Sequence, residues 1–348
     1  ARVGVAASNA MAADAGVALA EAGGNAVDAA VAAAVVSCCT EPGVCSLGGG
    51  AFLLASRRGQ PVMAIDANVE MPGRGQPPDA FERGMWEYRS GYAGGMHTAI
   101  GHGTIATPGT LKGLARLHAE FGRAPWRDVL EPAITAARDG FPMGRSNHHY
   151  LAYVHEGLYG WHAPSHAVLH DADGNLHEVG ATLRIPALAD TLDALATEGV
   201  DLLYRGELGA MIADDVASHD GLLTREDLAA YELQVGVART VRLRGWDVAT
   251  VPPPSIGGAV LAAMLLLLGD EPDGAWTARA ARRMVDVQVA VLGRRATHLD
   301  VADDLRAAAE AFVDEAMAEG LPEHGGAPST AQVSAVDADG LTVSMTAS

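Results

Sequence analysis

The sequence is short of positive charge. Its 348 residues carry 24 lysines and arginines against 43 aspartates and glutamates, a formal charge of −19. A chain with no basic face cannot release counterions from a phosphate backbone, so nucleic acid and anionic membrane surfaces are excluded as partners. Long apolar runs are missing too. The strongest, Leu261 to Leu268, is too short to cross a bilayer and reads as a buried helix, so no membrane span is expected. Cysteine is scarce. Cys38, Cys39 and Cys45 are odd in number and two are adjacent, which gives neither a disulfide framework nor metal-ligand spacing; they read as small apolar core residues. The glycine run Gly48-Gly49-Gly50 lacks the Lys-Ser/Thr that ends a phosphate loop, since Ala51-Phe52 follow, and it reads as close backbone packing before a strand. No internal repeat or obvious linker is present.

What is there is a globular composition, 49% hydrophobic and 19% charged, long enough for one large domain or two fused ones. The chain opens on Ala1 with strand-like sequence at once, so any targeting segment has been removed or left out; a soluble chain is expected, the cytoplasm favoured over periplasm or export. Val3 to Ala7 reads as a strand, with Ser8-Asn9 capping a helix from Met11 to Glu21. Asn25 to Asp28 begins a second helix, apolar on most sides and therefore buried, which Glu41-Pro42-Gly43 ends. Ala51 to Ser56 and Pro61 to Asp66 read as a hairpin. Pro72 to Gly103 reads as an irregular surface excursion. Helices are expected at Thr110 to Phe121, Trp126 to Asp139, Ile185 to Thr197 and Leu208 to Ser218, with a capping box at Thr224-Arg225-Glu226-Asp227. A hairpin around Gly245 precedes the apolar helix opened by Pro252-Pro253-Pro254-Ser255, and Thr277 to Ala290 and Asp303 to Glu319 read as further helices. Strands at both ends with helices between them indicate an α+β or layered α/β organisation.

Seven of the thirteen histidines lie between His148 and His177. Only His162 and His166 have helical i, i+4 spacing, and Pro164 between them opposes that helix, so no metal site is expected there.

The stretch Gly325 to Asp337 passes from small turn-forming residues to an alternating strand pattern at Thr330. Asp337-Ala338-Asp339-Gly340 is a tight-turn signal before the returning strand Leu341 to Thr346. On the residues alone this is either an ordinary hairpin entry or the start of a strand freed by chain cleavage. In the second case Thr330 would hold an α-amine beside its own hydroxyl, the arrangement of an N-terminal Thr nucleophile and its base.

An ordered series of stretches along almost the whole chain resembles the γ-glutamyltransferases, within the N-terminal nucleophile (Ntn) hydrolases. It runs from Gly23-Gly24-Asn25-Ala26-Val27-Asp28 through Glu41-Pro42 with Gly48-Gly49-Gly50, Thr107-Pro108-Gly109, Phe121-Gly122 and Pro132-Ala133. Tyr204-Arg205-Gly206-Glu207, Leu223-Thr224 with Tyr231, and Pro252-Pro253-Pro254-Ser255 with Gly257-Gly258 continue it. The resemblance implies a layered αββα sandwich, with residues 1–329 as the large-subunit region of one Ntn-hydrolase domain and 330–348 as the start of the small-subunit region. Thr330-Ala331-Gln332-Val333-Ser334 matches the family's cleavage and nucleophile motif. It implies Thr330 as nucleophile, the Ser329–Thr330 bond as the autocleavage site, and Ser348 as a second hydroxyl against the nucleophile. Ser329 is the rival nucleophile on chemistry alone. The implied reaction is attack on a γ-glutamyl or related amide, giving an acyl-enzyme that passes to water or an amine. The implied substrate is a small-molecule amide or peptide. No metal or organic cofactor is implied. A cleaved heterodimer of large and small subunits is, with higher oligomers left open.

Three departures qualify the resemblance. Asn68 stands where the family places an arginine for the α-carboxylate of the γ-glutamyl group, so Asn68 and, from nearby, Arg74 are the candidate substrate-binding residues, and ordinary donors such as glutathione come into question. Gln332 replaces the usual histidine. The sequence stops nineteen residues into a longer small subunit whose oxyanion-hole glycines lie beyond it, which matters because such a hole supplies several kcal/mol of stabilisation. Three readings follow: a self-cleaving γ-glutamyltransferase-like enzyme, a relative specialised for another acyl group such as a cephalosporin-acylase side chain, and a non-catalytic family member.

Overall fold

The computed structural model describes residues 2–243, 245–269, 277–319 and 331–347. Strand β1 (Val3–Ala6) leads to helices α1 (Ala10–Glu21) and α2 (Ala26–Thr40), then strands β2 (Ala51–Ser56) and β3 (Met63–Ala67). Strands β4 (Trp86–Ser90) and β5 (Met96–Ile100) precede helices α3 (Thr110–Phe121) and α4 (Trp126–Asp139). The short strands β6 (Phe141–Pro142) and β7 (Thr182–Leu183) bracket α5 (Arg145–Val154) and α6 (Ala163–Leu169). Helices α7 (Pro186–Glu198), α8 (Asp201–Tyr204), α9 (Glu207–Ser218) and α10 (Arg225–Ala230) follow, then strands β8 (Gln234–Val237), β9 (Arg239–Leu243) and β10 (Trp246–Thr250). Helices α11 (Ile256–Leu268), α12 (Ala278–His298) and α13 (Leu305–Glu319) and strands β11 (Ala331–Asp337) and β12 (Thr342–Ala347) complete the chain.

These elements fall into two compact units. The first comprises Ala1–Ala51, Ala67–Leu233 and Thr330–Ser348, the second Phe52–Asp66 and Gln234–Ser329. The chain passes between them several times, which is why no single linker is visible in the sequence.

The first unit is built around α2. All fifteen of its residues are buried, because Ala, Val, Cys and Ser give it no polar face, and it packs against α1, α4, β11 and β12. Val27, Val31, Val35 and Val36 each contribute about 1.5–3 kcal/mol by leaving water. Its start is fixed by a capping box. The Asn25 side chain accepts from the backbone N–H of Val27 and Asp28, while Asp28 accepts from the Asn25 N–H at 2.8 Å. Asp28 also accepts from the Arg123 N–H at 3.0 and 3.1 Å and lies 3.4 Å from His118 Nε2. Burial alone would push this carboxyl up, but His118 and the N–H groups of Asn25 and Arg123 outweigh it and hold it below the usual carboxylate range. At the other end Glu41, also buried, accepts from the Ser8 hydroxyl and from Asn9 Nδ2, which ties the end of α2 to the start of α1.

Strands β1, β11 and β12 are antiparallel neighbours in that order, with β11 in the middle. The register pairs Val3 with Asp337 and Ala331 with Ala347. Val333, Ala335, Val343, Met345 and Ala347 are buried, the period-two pattern of a strand with one face on the core. The tight turn expected after Asp337 is present. Asp337 Oδ1 accepts from the N–H of Asp339 and Leu341, each at 3.0 Å, and Gly340 takes the left-handed conformation at φ +83°.

In the second unit β2, β3 and β8 are neighbours in that order, and β9 pairs with β10 in the hairpin expected around Gly245. The unit's core is apolar, with Ala259, Ala262, Ala263, Val287, Val291 and Phe312 all but fully buried where α11, α12 and α13 meet.

Two sequence expectations need correction. The stretch from Pro72 to Gly103 is not wholly irregular, because β4 and β5 form an antiparallel hairpin inside it. Pro164 does not prevent a helix either. It lies in the first turn of α6, where an amide N–H has no intrahelical partner to lose, with His162 as the preceding cap residue. His162 Nδ1 meets Ser165 Oγ at 2.8 Å and His166 stacks on His170, so the two do not converge on a common point. The three cysteines are buried and unbridged, as expected.

Candidate active site

Thr330, Ser329 and Ser348 lie outside the described residues. The residue after Thr330 and the residue before Ser348 lie within them. Ala331, next after Thr330, opens β11 and pairs across the ladder with Ala347, the residue before Ser348. Gln332, also in β11, bridges the same two strands. Its Nε2 donates to Ser344 Oγ at 2.9 Å and to Ser334 Oγ at 3.3 Å, and its Oε1 accepts from the Thr346 hydroxyl at 2.6 Å. A carboxamide can donate and accept in this way at once, so Gln332 laces the ladder together.

Asn68 and Arg74 sit on one segment leaving β3, and that segment is anchored at three places. The Tyr231 hydroxyl donates to the Asn68 carbonyl at 2.7 Å. Glu70 exchanges backbone hydrogen bonds with Thr107 at 2.9 and 3.1 Å. The buried Asp227 carboxylate accepts from the N–H of Gly73 at 2.9 Å and of Arg74 at 3.1 Å, while also closing the capping box of α10 through Thr224. Burial would raise the Asp227 carboxyl, but the Gly73 N–H, the Thr224 hydroxyl and the Arg74 N–H hold it below its ordinary value. Asn68 is therefore presented by a fixed backbone.

The Arg74 guanidinium is already engaged. Nη2 meets Glu70 Oε2 at 2.6 Å and Nη1 meets Asp227 Oδ1 at 3.3 Å. Any carboxylate ligand at Arg74 would compete with these two side chains.

The glycine run packs against this segment. A Cβ on Gly50 would stand 2.6 Å from Asn68 Oδ1, and one on Gly109 would overlap the Ala67 carbonyl and the Tyr231 hydroxyl. Only glycine permits that approach. The Gly49 carbonyl accepts from the N–H of Gly109 at 3.0 Å and of Thr110 at 3.1 Å. The first amides of α3, which could otherwise attract an anion, are thereby used, in keeping with close packing over a phosphate loop. Lys112 Nζ donates to the Tyr231 carbonyl and lies 4.9 and 5.4 Å from the ring centroids of Tyr204 and Tyr231. Burial, reinforced by Arg205, lowers its ammonium below the ordinary lysine value.

Tyr231, Asp227 and Lys112 were not identified as site supports from sequence. The Thr224-to-Asp227 spacing announced a cap, but nothing local reveals that the same carboxylate also holds Gly73 and Arg74.

Among the described residues no helix is long and apolar enough to cross a membrane. The sequence profile of the family described as gamma-glutamyltranspeptidase matches residues 12–348. The glutathione hydrolase proenzyme of Escherichia coli K12 is 30% identical over 322 residues, covering 92% of this chain and 54% of that protein. The glutathione hydrolase 5 proenzyme of Mus musculus is 32% identical over 274 residues, covering 77% and 45%. The chain thus spans about half the length of these curated relatives. Among solved structures, the cephalosporin acylase of Bacillus halodurans superposes with a TM-score of 0.76 at 25% identity, over 99% of this chain and 65% of that one. The γ-glutamyltranspeptidase of Helicobacter pylori superposes with a TM-score of 0.72 at 21% identity, over 94% of each chain. The α+β fold expected from the sequence is the Ntn-hydrolase fold of these structures. With the profile matched along nearly its whole length, the chain belongs to the γ-glutamyltranspeptidase family.

Proposed function

We propose that the protein is a self-processing amidohydrolase or acyltransferase whose nucleophile is Thr330. The observation that carries this reading is the family match through the end of the chain, together with the pairing of Ala331, the residue after Thr330, with Ala347, the residue before Ser348. In processing, the Thr330 hydroxyl attacks the Ser329 carbonyl and the Ser329–Thr330 C–N bond breaks. An ester forms on Oγ while the nitrogen takes up the hydroxyl proton. Water cleaves the ester, leaving a carboxylate on Ser329 and a free α-amine on Thr330. In turnover that amine accepts the hydroxyl proton as Oγ attacks a small-molecule or peptide amide, then passes it to the departing amine. Water or an acceptor amine takes the acyl group, Ser348 supports the nucleophile by hydrogen bonding, and the two pieces remain together as a large/small subunit heterodimer.

The test is a denaturing gel with intact mass of the whole wild-type protein beside Thr330→Ala. Two fragments joined at Ser329/Thr330, absent from the variant, are expected, with amidase activity lost alongside. A wild type that stays uncut and matches the variant's activity overturns the proposal.

A second reading concerns the acyl group. Asn68 offers hydrogen bonds without charge where the family uses an arginine, and Arg74 is held by Glu70 and Asp227, so recognition of a free α-carboxylate is weakened. The preferred donor under this reading lacks that carboxylate. Faster release of p-nitroaniline from a carboxylate-free acyl anilide than from the γ-glutamyl anilide supports it. Fast γ-glutamyl hydrolysis that is lost in Asn68→Ala sinks it.

A further inference from the structure

Away from the Asn68 segment, three ligand-type side chains converge on the surface of the first unit. His102 opens a short turn after β5, while Asp215 and His219 are four residues apart at the end of α9, on one face of the helix. One ligand atom from each lies within 4.8 Å of the other two. His102 Nε2 stands 3.8 Å from Asp215 Oδ2, and the His102 and His219 rings stack at 4.1 Å. The surroundings fix the backbone that carries them. The Gly103 N–H donates to the Gly84 carbonyl at 2.8 Å, the Gly221 N–H to the Val216 carbonyl at 2.8 Å, and Asp220 takes the left-handed conformation at φ +59°.

We propose that His102, Asp215 and His219 form a binding site for one divalent transition-metal ion of the zinc class. Two imidazoles and a carboxylate favour zinc, nickel or copper over calcium or magnesium, with water completing the coordination. His219 Nδ1 lies 2.8 Å from the Asp215 backbone carbonyl, 3.0 Å from Ser218 Oγ and 3.7 Å from Asp215 Oδ1; a proton held on Nδ1 by that carbonyl would leave the Nε2 lone pair for the ion. A metal-ligating imidazole commonly donates its other N–H to a carbonyl in this way. The two rings must splay on binding, because a metal lies in the plane of each imidazole it bonds. His219 and Asp215, with side chains 52% and 64% exposed, have room to move. The ion would tie the turn after β5 to the end of α9, and Trp161, whose ring is 5.4 Å from His102, would report it.

The test is calorimetric titration of the whole, untagged protein with zinc chloride near neutral pH. One ion per chain is expected, bound at least about tenfold more weakly by His102→Ala and by His219→Ala, and at unchanged affinity by His155→Ala. Cupric ion should quench part of the tryptophan fluorescence, that of Trp161 and its neighbour Trp86, in the wild type but not in His102→Ala. Circular dichroism separates loss of ligand from loss of fold, and the exposed isosteric change Asp215→Asn keeps the test alive if a histidine variant misfolds. Absence of saturable zinc binding, zinc binding that survives both histidine substitutions, or equal binding of calcium overturns the proposal.

Discussion

The two units solve the problem of a stable interior by different means. In the second, α11, α12 and α13 meet through alanine, valine and phenylalanine, with buried Arg294 of α12 paired to the half-exposed Glu315 of α13 at 2.9 Å, and among the described residues no carboxylate is buried. In the first, four carboxylates are buried, Asp28, Glu41, Asp227 and Asp337, and each accepts hydrogen bonds from backbone or side-chain donors. Asp28, Asp227 and Asp337 do so where the chain is irregular, at a helix start, a tight turn or the segment carrying Asn68. Apolar contact is non-directional and cannot hold a particular loop conformation, whereas an acceptor with several lone pairs can. The unit that presents the candidate substrate-binding residues is the one that needs such anchors.

The largest expected effects set one unit's device against the other's. Asp227→Ala removes a buried acceptor and strands the N–H groups of Gly73 and Arg74. It should cost about 3–5 kcal/mol and raise the KM for the acyl donor. Phe312→Ala in the second unit should cost a similar amount, about 3–5 kcal/mol, through a cavity and the loss of the ring beneath the Arg294 guanidinium, and leave KM unchanged. Equal effects on KM, read beside denaturant unfolding of each variant, would erase the distinction.

Acid should also separate the units. Asp28 and Asp227 have folded-state values below the unfolded one of about 3.9. The unfolded carboxylates therefore bind protons first as pH falls. The stability these groups contribute is intact above about pH 4 and is lost as pH drops through their folded values. Pepsin cuts mapped by mass spectrometry at progressively lower pH should appear first around α2 and α10. First cuts in α11 to α13 would contradict this.

Two smaller changes sharpen the contrast. Tyr231→Phe removes one neutral hydrogen bond to the Asn68 carbonyl and should cost about 1 kcal/mol, with a modest rise in KM. Thr107 is fully buried, and its hydroxyl has no partner among the described residues. Thr107→Val should be neutral or stabilising by up to about 1 kcal/mol, read as a rise in the thermal midpoint.

Local signals made much of the fold readable before the structure. Asn9, Asn25 and Thr224 each cap a helix whose start could be read within four residues, and α2 declared itself by having no polar face. The β4–β5 hairpin escaped because its strands are only five residues each, mostly exposed or half-buried, and lie in a stretch rich in Gly, Pro and Arg. The site was half legible. Asn68 and Arg74 came from motif order, but their anchors are remote, Tyr231 at 163 residues from Asn68 and Asp227 at 154 from Gly73. No local pattern encodes a contact of that range.

The central place of β11 has a consequence for any break in the chain just ahead of it. On one side it is laced to β1, which starts at Val3, and on the other to β12, while α2 lies against it. The piece before the break and the piece after it would thus be interwoven, each supplying strands to the other's sheet. Dilution would not part them, and a sizing column would register one particle whether or not the peptide bond was whole.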